Sequence, residues 1–217
     1  MNLPVPLIRQ EKGSSDCGVA CIAMVLKYYG VKKSIEEIKK DIEVFKNVGT
    51  YMPQLGSYFL SQNFDVEIVT MNPHLFNVSF KNADKNKILS HLIKKYEIIK
   101  KSEMKRCVEF FIKFIEAGGK LTVHVPNVKD IKEEIKNKRP LLAQLTSSVL
   151  STKYVSFNSH FNVITGIDTE KIHINDPAAD TTGGQHAYAI DEYLYAIHAA
   201  AFGEADNASI MKIRYKK

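Results

Sequence analysis

The chain reads as an α+β domain, with helices through its first two thirds and an antiparallel sheet in its last third. Apolar residues recur at helical spacing through most of the stretch before Pro140. After Pro140 the pattern changes to short apolar or alternating runs split by turn residues. With 217 residues and 45% hydrophobic content the chain can bury a core of its own, so a single domain over 1–217 is expected.

The elements follow in order. A first helix runs from about Cys17 to Tyr29, with Ser15 or Asp16 as its cap and Gly30 as its stop. Its residues Val19, Ala20, Ile22, Ala23, Met24, Val25 and Leu26 leave Lys27 as the only charge, so it is expected to be buried on several sides. Ser34-Ile-Glu-Glu has the form of a capping box opening a second helix to about Val44. The stretch from Gly49 to Phe64 holds a third helix, followed by a strand at Val66–Thr70 and loop over 72–80. Two amphipathic helices lie near Lys85–Ile99 and Ser102–Ala117, the second ended by Gly118-Gly119. A strand at Leu121–Val125 leads into a short helix at Val128–Asn137. The strands after Pro140 are Leu141–Leu145, Phe161–Ile167, Ile172–Asn175 and Ile210–Tyr215.

Composition narrows the setting. Three cysteines make no disulfide framework, which fits a reducing compartment. The start, MNLPVPLIRQ, lacks a basic region followed by an apolar stretch, and no apolar run reaches the roughly 18 residues of a spanning helix. A soluble, cytoplasmic protein without a membrane span is expected. Residues 81–106 hold nine Lys or Arg against three acids and so carry the whole net charge of +6. That stretch reads as the solvated faces of surface helices, or else as a patch for an acidic partner. No aromatic interleaving or nucleic-acid fold signature accompanies it, so no nucleic-acid partner is expected.

Cys17 opens the apolar helix after a polar loop. A helix N-terminus carries partial positive charge, which favours thiolate over thiol. Its unpaired N–H groups also suit an oxyanion forming beside the sulfur. This layout suits a nucleophile; the alternative is a small buried hydrophobe. Cys21, one turn on, lies about 5–6 Å away between Cβ atoms. That is too far for an unstrained disulfide. A zinc pair would need a second Cys/His pair with ligand spacing, and there is none. Cys21 and Cys107 are therefore read as core, with no metal and no cofactor.

A nucleophilic cysteine needs a base. Of the seven histidines, His74 and His91 are placed at the surface, His124 and His173 on strands, and His186 and His198 in later loop or helix. His160 opens the strand Phe161-Asn-Val-Ile-Thr-Gly, and the next strand ends at Asn175-Asp176-Pro177. A turn near Asp168–Lys171 makes the pair antiparallel, which brings Asp176 within a few residues of His160. A carboxylate there fixes the imidazole tautomer and steadies the imidazolium. The alternative for Asp176 is a cap on the turn before Pro177.

These segments resemble the bacteriocin-processing (double-glycine leader) peptidases and their stand-alone relatives, which are papain-like cysteine peptidases. SSDCGVACIAMVLKYYG is similar to the family's nucleophile helix, and HFNVITGID followed by IHINDP to its histidine strand and Asp-Pro block. The resemblance spans about residues 5–70 and 120–215. It implies a papain-like fold in which a buried nucleophile helix packs on the sheet, with Cys17, His160 and Asp176 as triad and Gln10 as oxyanion donor. Relative to the compact family core, residues 71–119 form a helical, Lys-rich insertion. Gln10 stands one residue further from the cysteine than in the bacteriocin-processing members, and Ser159 replaces the glycine before the histidine. The transporter domains generally fused to those members have no counterpart here.

Three functions suit this set. One is a cysteine peptidase that cleaves an amide bond in a peptide through an acyl-enzyme. The second is an acyltransferase or amide-forming enzyme acting on a small acyl or amide substrate. The third is a non-catalytic peptide-binding domain, which would be free to lose the triad.

Overall fold

The computed structural model describes residues 1–151, 154–203 and 208–216; Lys217, the last residue of the expected domain, lies outside them. One mixed sheet has the order β2-β1-β7-β3-β4-β5-β6. Its strands are β1 (Phe64–Thr70), β2 (Lys120–Val123), β3 (Leu141–Leu145), β4 (His160–Ile167), β5 (Lys171–Asp176), β6 (Gly184–Ala189) and β7 (Ser209–Tyr215). The helices are α1 (Cys17–Tyr28), α2 (Ile35–Lys39), α3 (Met52–Ser61), α4 (Lys85–Ile98), α5 (Ser102–Glu116), α6 (Val128–Lys136), α7 (Ser148–Ser151) and α8 (Ile190–Ala199).

The α+β class holds, but the sheet is not confined to the last third. β7 sits between β1 and β3, antiparallel to both, and β1 carries β2 as a parallel neighbour. Parallel neighbours need a long crossover, and here it is the stretch containing α4 and α5. α4 buries only Ile88 and Leu92. α5 buries Cys107, Val108, Phe111 and Phe114, and Phe114 lies so close to Gly56 of α3 that a Cβ there would stand 2.8 Å from its ring.

Two local readings change. The second helix stops at Lys39 instead of about Val44, although its Ser34–Glu37 capping box is present. Beyond it the chain turns through Asn47 and Gly49, both with positive φ, and Phe45 pairs with Gly49, so Ile42 is buried from a turn. β6 and α8 were not foreseen. Gly-Gln-His-Ala-Tyr-Ala has no β-branched residue, and its strand form is imposed by full pairing with β5. α8 starts at Ala189 without a side-chain cap, its first turn holding Asp191 and Glu192.

α1 is the buried helix its composition demanded, with Gly18 through Leu26 all inaccessible. Gly30, at φ +84, donates to the Lys27 carbonyl and ends it. The N-terminal segment lies along the sheet: Leu3 N–H donates to Thr165, the Asn175 amide to Val5, and Gln10 N–H to Pro177. Among the described residues no helix is long and apolar enough to cross a membrane.

Candidate active site

Three elements converge where α1 begins. The start of α1 is packed tightly: a Cβ on Gly18 would collide with the Thr50 hydroxyl and stand 2.9 Å from a Leu55 methyl. Cys17 is thereby held at the helix terminus, partly exposed, with Cys21 one turn deeper and inaccessible. Burial pushes the Cys21 thiol well up, with the sulfur of Cys17 and the charge of Asp176 adding to it. Cys21 and Cys107 are both core.

Asp16 occupies the cap position but makes no capping bond. Its buried carboxylate pairs with Lys39 at 3.0 Å instead. A carboxylate one residue before the cysteine would oppose a thiolate, and Lys39 offsets that charge.

In the β4–β5 ladder Val163 lies opposite Asn175. Continuing this register sets Asn162 opposite Asp176, and His160 two residues further along the same face. Diagonal neighbours are within reach of long side chains. His160 Nε2 meets Asp176 Oδ1 at 2.8 Å, and the same oxygen accepts the Ala178 N–H at 2.9 Å. That leaves Nδ1 free to face Cys17, which lies close enough to act on the charge of the ring. Burial alone would discharge the ring, but the bonds and charges of Asp176 and Cys17 outweigh it and raise the His160 pKa to about 10. The structure therefore brings Cys17, His160 and Asp176 together, the imidazole between sulfur and carboxylate.

Gln10 is beside them, but its amide turns inward. Nε2 donates to the Ser14 carbonyl at 2.8 Å within the same loop, and Oε1 is buried without a protein partner among the described residues. The other histidines are engaged elsewhere. His74 bonds Gly203, His91 bonds Leu75, His124 pairs with Asp130, His173 with Asp168, and His198 bonds Pro126. His186 lies on β6 with its ring against Tyr188. No group of three or more His, Cys, Asp or Glu among the described residues is arranged to hold a metal ion.

A model of the Peptidase C39-like family matches residues 2–201. The chain belongs to that family. Three solved structures share the C39 fold. A double glycine motif protease from an AMS/PCAT transporter, in complex with the leader peptide, is 15% identical, with 99% of this chain and 94% of that one covered and a TM-score of 0.51. The peptidase domain of Streptococcus ComA, a bi-functional ABC transporter involved in quorum sensing, is 12% identical, with 98% and 99% covered and a TM-score of 0.51. A protein described as a C39-like peptidase from Bacillus anthracis is 13% identical, with all of both chains covered and a TM-score of 0.55. At these identities the likeness is one of fold. No curated protein matches the chain.

Two residues beside the site escaped the sequence reading. Asn162 and Tyr193 stand behind Asp176, with Tyr193 Oη donating to Asn162 Oδ1 at 2.6 Å. Asn162 is one residue inside an apolar strand, a placement that could have marked it as a buried polar group needing partners. Tyr193 comes from α8, which carried no such signal.

Proposed function

We propose that this C39-family protein is a cysteine peptidase that hydrolyses an amide bond in a peptide, with Cys17 as nucleophile, His160 as acid and base, and Asp176 as the group orienting His160. The observation that carries this reading is the His160 ring held between Asp176 and Cys17. A ring that stays protonated past neutrality stores the sulfur as thiolate. The thiolate attacks the carbonyl carbon, and the charge passes to the carbonyl oxygen beside the unpaired N–H groups that begin α1. The Gln10 amide becomes the side-chain donor to that oxygen once it rotates off the Ser14 carbonyl that it holds in this structure. The amide C–N bond breaks as His160 gives its proton to the leaving amine. Water, deprotonated by His160, then releases the acid and frees the sulfur. A neighbour of the same fold is held in complex with a leader peptide, which supports a peptide as the substrate.

Iodoacetamide at mildly acidic pH, with the label located by mass spectrometry, tests the pair. Cys17 is modified while Cys21 and Cys107 stay unlabelled, and His160→Ala abolishes the selectivity. An inert Cys17, or Cys107 labelled equally, overturns the reading. Peptide cleavage in the presence of an added amine then separates hydrolysis, which yields a free acid, from acyl transfer, which yields the amide of that amine.

A further inference from the structure

Asp176 Oδ1 is fully used by His160 and the Ala178 N–H, which leaves Oδ2. Asn162, which lines the same small cavity as Asp176 and comes next in the register after Val163–Asn175, is 1% exposed. Its amide cannot turn freely, because the buried Tyr193 hydroxyl donates to Oδ1 and so directs Nδ2 to the other side. Nδ2 is buried and has no protein partner among the described residues. Leaving such a donor unmatched costs about 1–3 kcal/mol. A small cavity lined by Asn162, Asp176, Ser147, Thr182 and Tyr188 offers about 10 Å³ to the centre of a water molecule, room for one.

We propose that Asn162, locked by Tyr193, is a positioning residue for Asp176: Nδ2 donates to one bound water, which in turn donates to Asp176 Oδ2. The chain Tyr193–Asn162–water–Asp176 fixes the rotation of the carboxylate and so the plane of the His160 ring. It rests on the triad reading above and adds the device that keeps the acid aligned. A carboxylate held in this rotation keeps its charge on the His160 ring, which in turn faces Cys17, so losing the donor loosens the acid from the ring. The titratable groups facing Asp176 are His160 from β4, Cys17 and Cys21 from α1, Tyr188 from β6 and Tyr193 from α8, with Asp180 of the following loop facing His160. Burial pushes the Cys21 thiol and both phenols up, so all three are neutral through the acid range.

The test is the pH profile of Cys17 alkylation by iodoacetamide in the native chain, Tyr193→Phe and Asn162→Asp. Asn162→Asp sets a second carboxylate opposite Asp176, and the acid limb is expected to rise by about one pH unit or more. Tyr193→Phe removes only a hydroxyl and raises the same limb by a smaller, measurable amount. A loss of stability alone lowers the melting temperature without moving the limb. If Asn162→Asp does not fold, Tyr193→Phe decides. Limbs that superimpose on the native one overturn the proposal while leaving the triad intact; an inert native Cys17 removes the triad reading and this proposal with it.

Discussion

Lys39 Nζ stands 3.0 Å from the buried carboxylate of Asp16, one residue before Cys17. The hydrogen bond to Asp16 raises the Lys39 pKa against the partial burial that opposes it, so the ammonium is present throughout the working range. Lys39→Met leaves Asp16 charged, buried and unpaired at the start of α1. Stability is expected to fall by about 1–3 kcal/mol, because a buried acceptor loses its donor. The uncompensated charge also disfavours the thiolate, so alkylation of Cys17 near pH 5.5 slows several-fold. Lys39→Arg keeps most of both. Thermal melts and second-order alkylation rates check the pair of effects.

Asp176→Asn removes the charge that steadies the imidazolium. The native His160 pKa of about 10 lies above the 6.5 of the free ring. The stability contributed by this ring is therefore fully present below pH 6.5 and is lost as the pH rises through about 10. In Asp176→Asn that alkaline loss begins at lower pH, and if the protein cleaves peptides as proposed, the alkaline limb of that cleavage moves down with it. On the proposed mechanism the turnover number falls by up to about 10⁴, the loss for neutralising the third member of such a triad, while KM changes little. Turnover numbers and pH profiles measured on both proteins decide it.

The parts of the site visible in the sequence were those set by local chemistry. A polar loop, a cysteine and an apolar helix are contiguous, so Cys17 was placed by its neighbours alone. His160 and Asp176 were linked because a short turn forces their strands antiparallel. Their exact contact was beyond reach, since it depends on the register that runs from Ile167 opposite Ile172 past an irregularity to Val163 opposite Asn175. Asn162 acquires its place only through that register, and Tyr193 only through a helix whose start has no cap. β2 and β1 each read as strands, but nothing local says that β7, some 140 residues after β1, pairs with it and draws both into one sheet.

Gly18→Ala tests how tightly Cys17 is held. The new methyl group meets the Thr50 hydroxyl and the Leu55 side chain. Leu55 is itself fully buried and cannot swing clear. Overpacking of this kind costs about 1–3 kcal/mol. The strain falls on the first turn of α1, so Cys17 alkylation is expected to drop by more than the change in folded fraction accounts for. Alanine at Gly13, where a Cβ would meet nothing within 4 Å but φ is +78, lowers stability without that disproportion.

Glu134 of α6 is completely inaccessible, bonded to Arg214 of β7 at 2.7 Å and facing Arg139 at 3.5 Å. Arg214 also reaches Glu67 of β1 at 3.4 Å, so this cluster ties the helix to the strands that join the two halves of the chain. Removing one member of a buried pair costs about 3–5 kcal/mol, because the remaining charge is stranded, whereas replacing both by apolar groups is often neutral. Glu134→Leu alone is therefore expected to lower stability strongly. Arg214, about a third exposed, can reach water and keeps the loss near the lower end of that range. Glu134→Leu combined with Arg214→Met recovers most of it. Glu134, Arg139 and Arg214 lie on none of the elements that carry Cys17, His160 or Asp176, so alkylation of the folded protein stays at the native rate in Glu134→Leu, in Arg214→Met and in the double variant. Denaturant titrations arranged as a double-mutant cycle measure the coupling, and strictly additive losses would refute it.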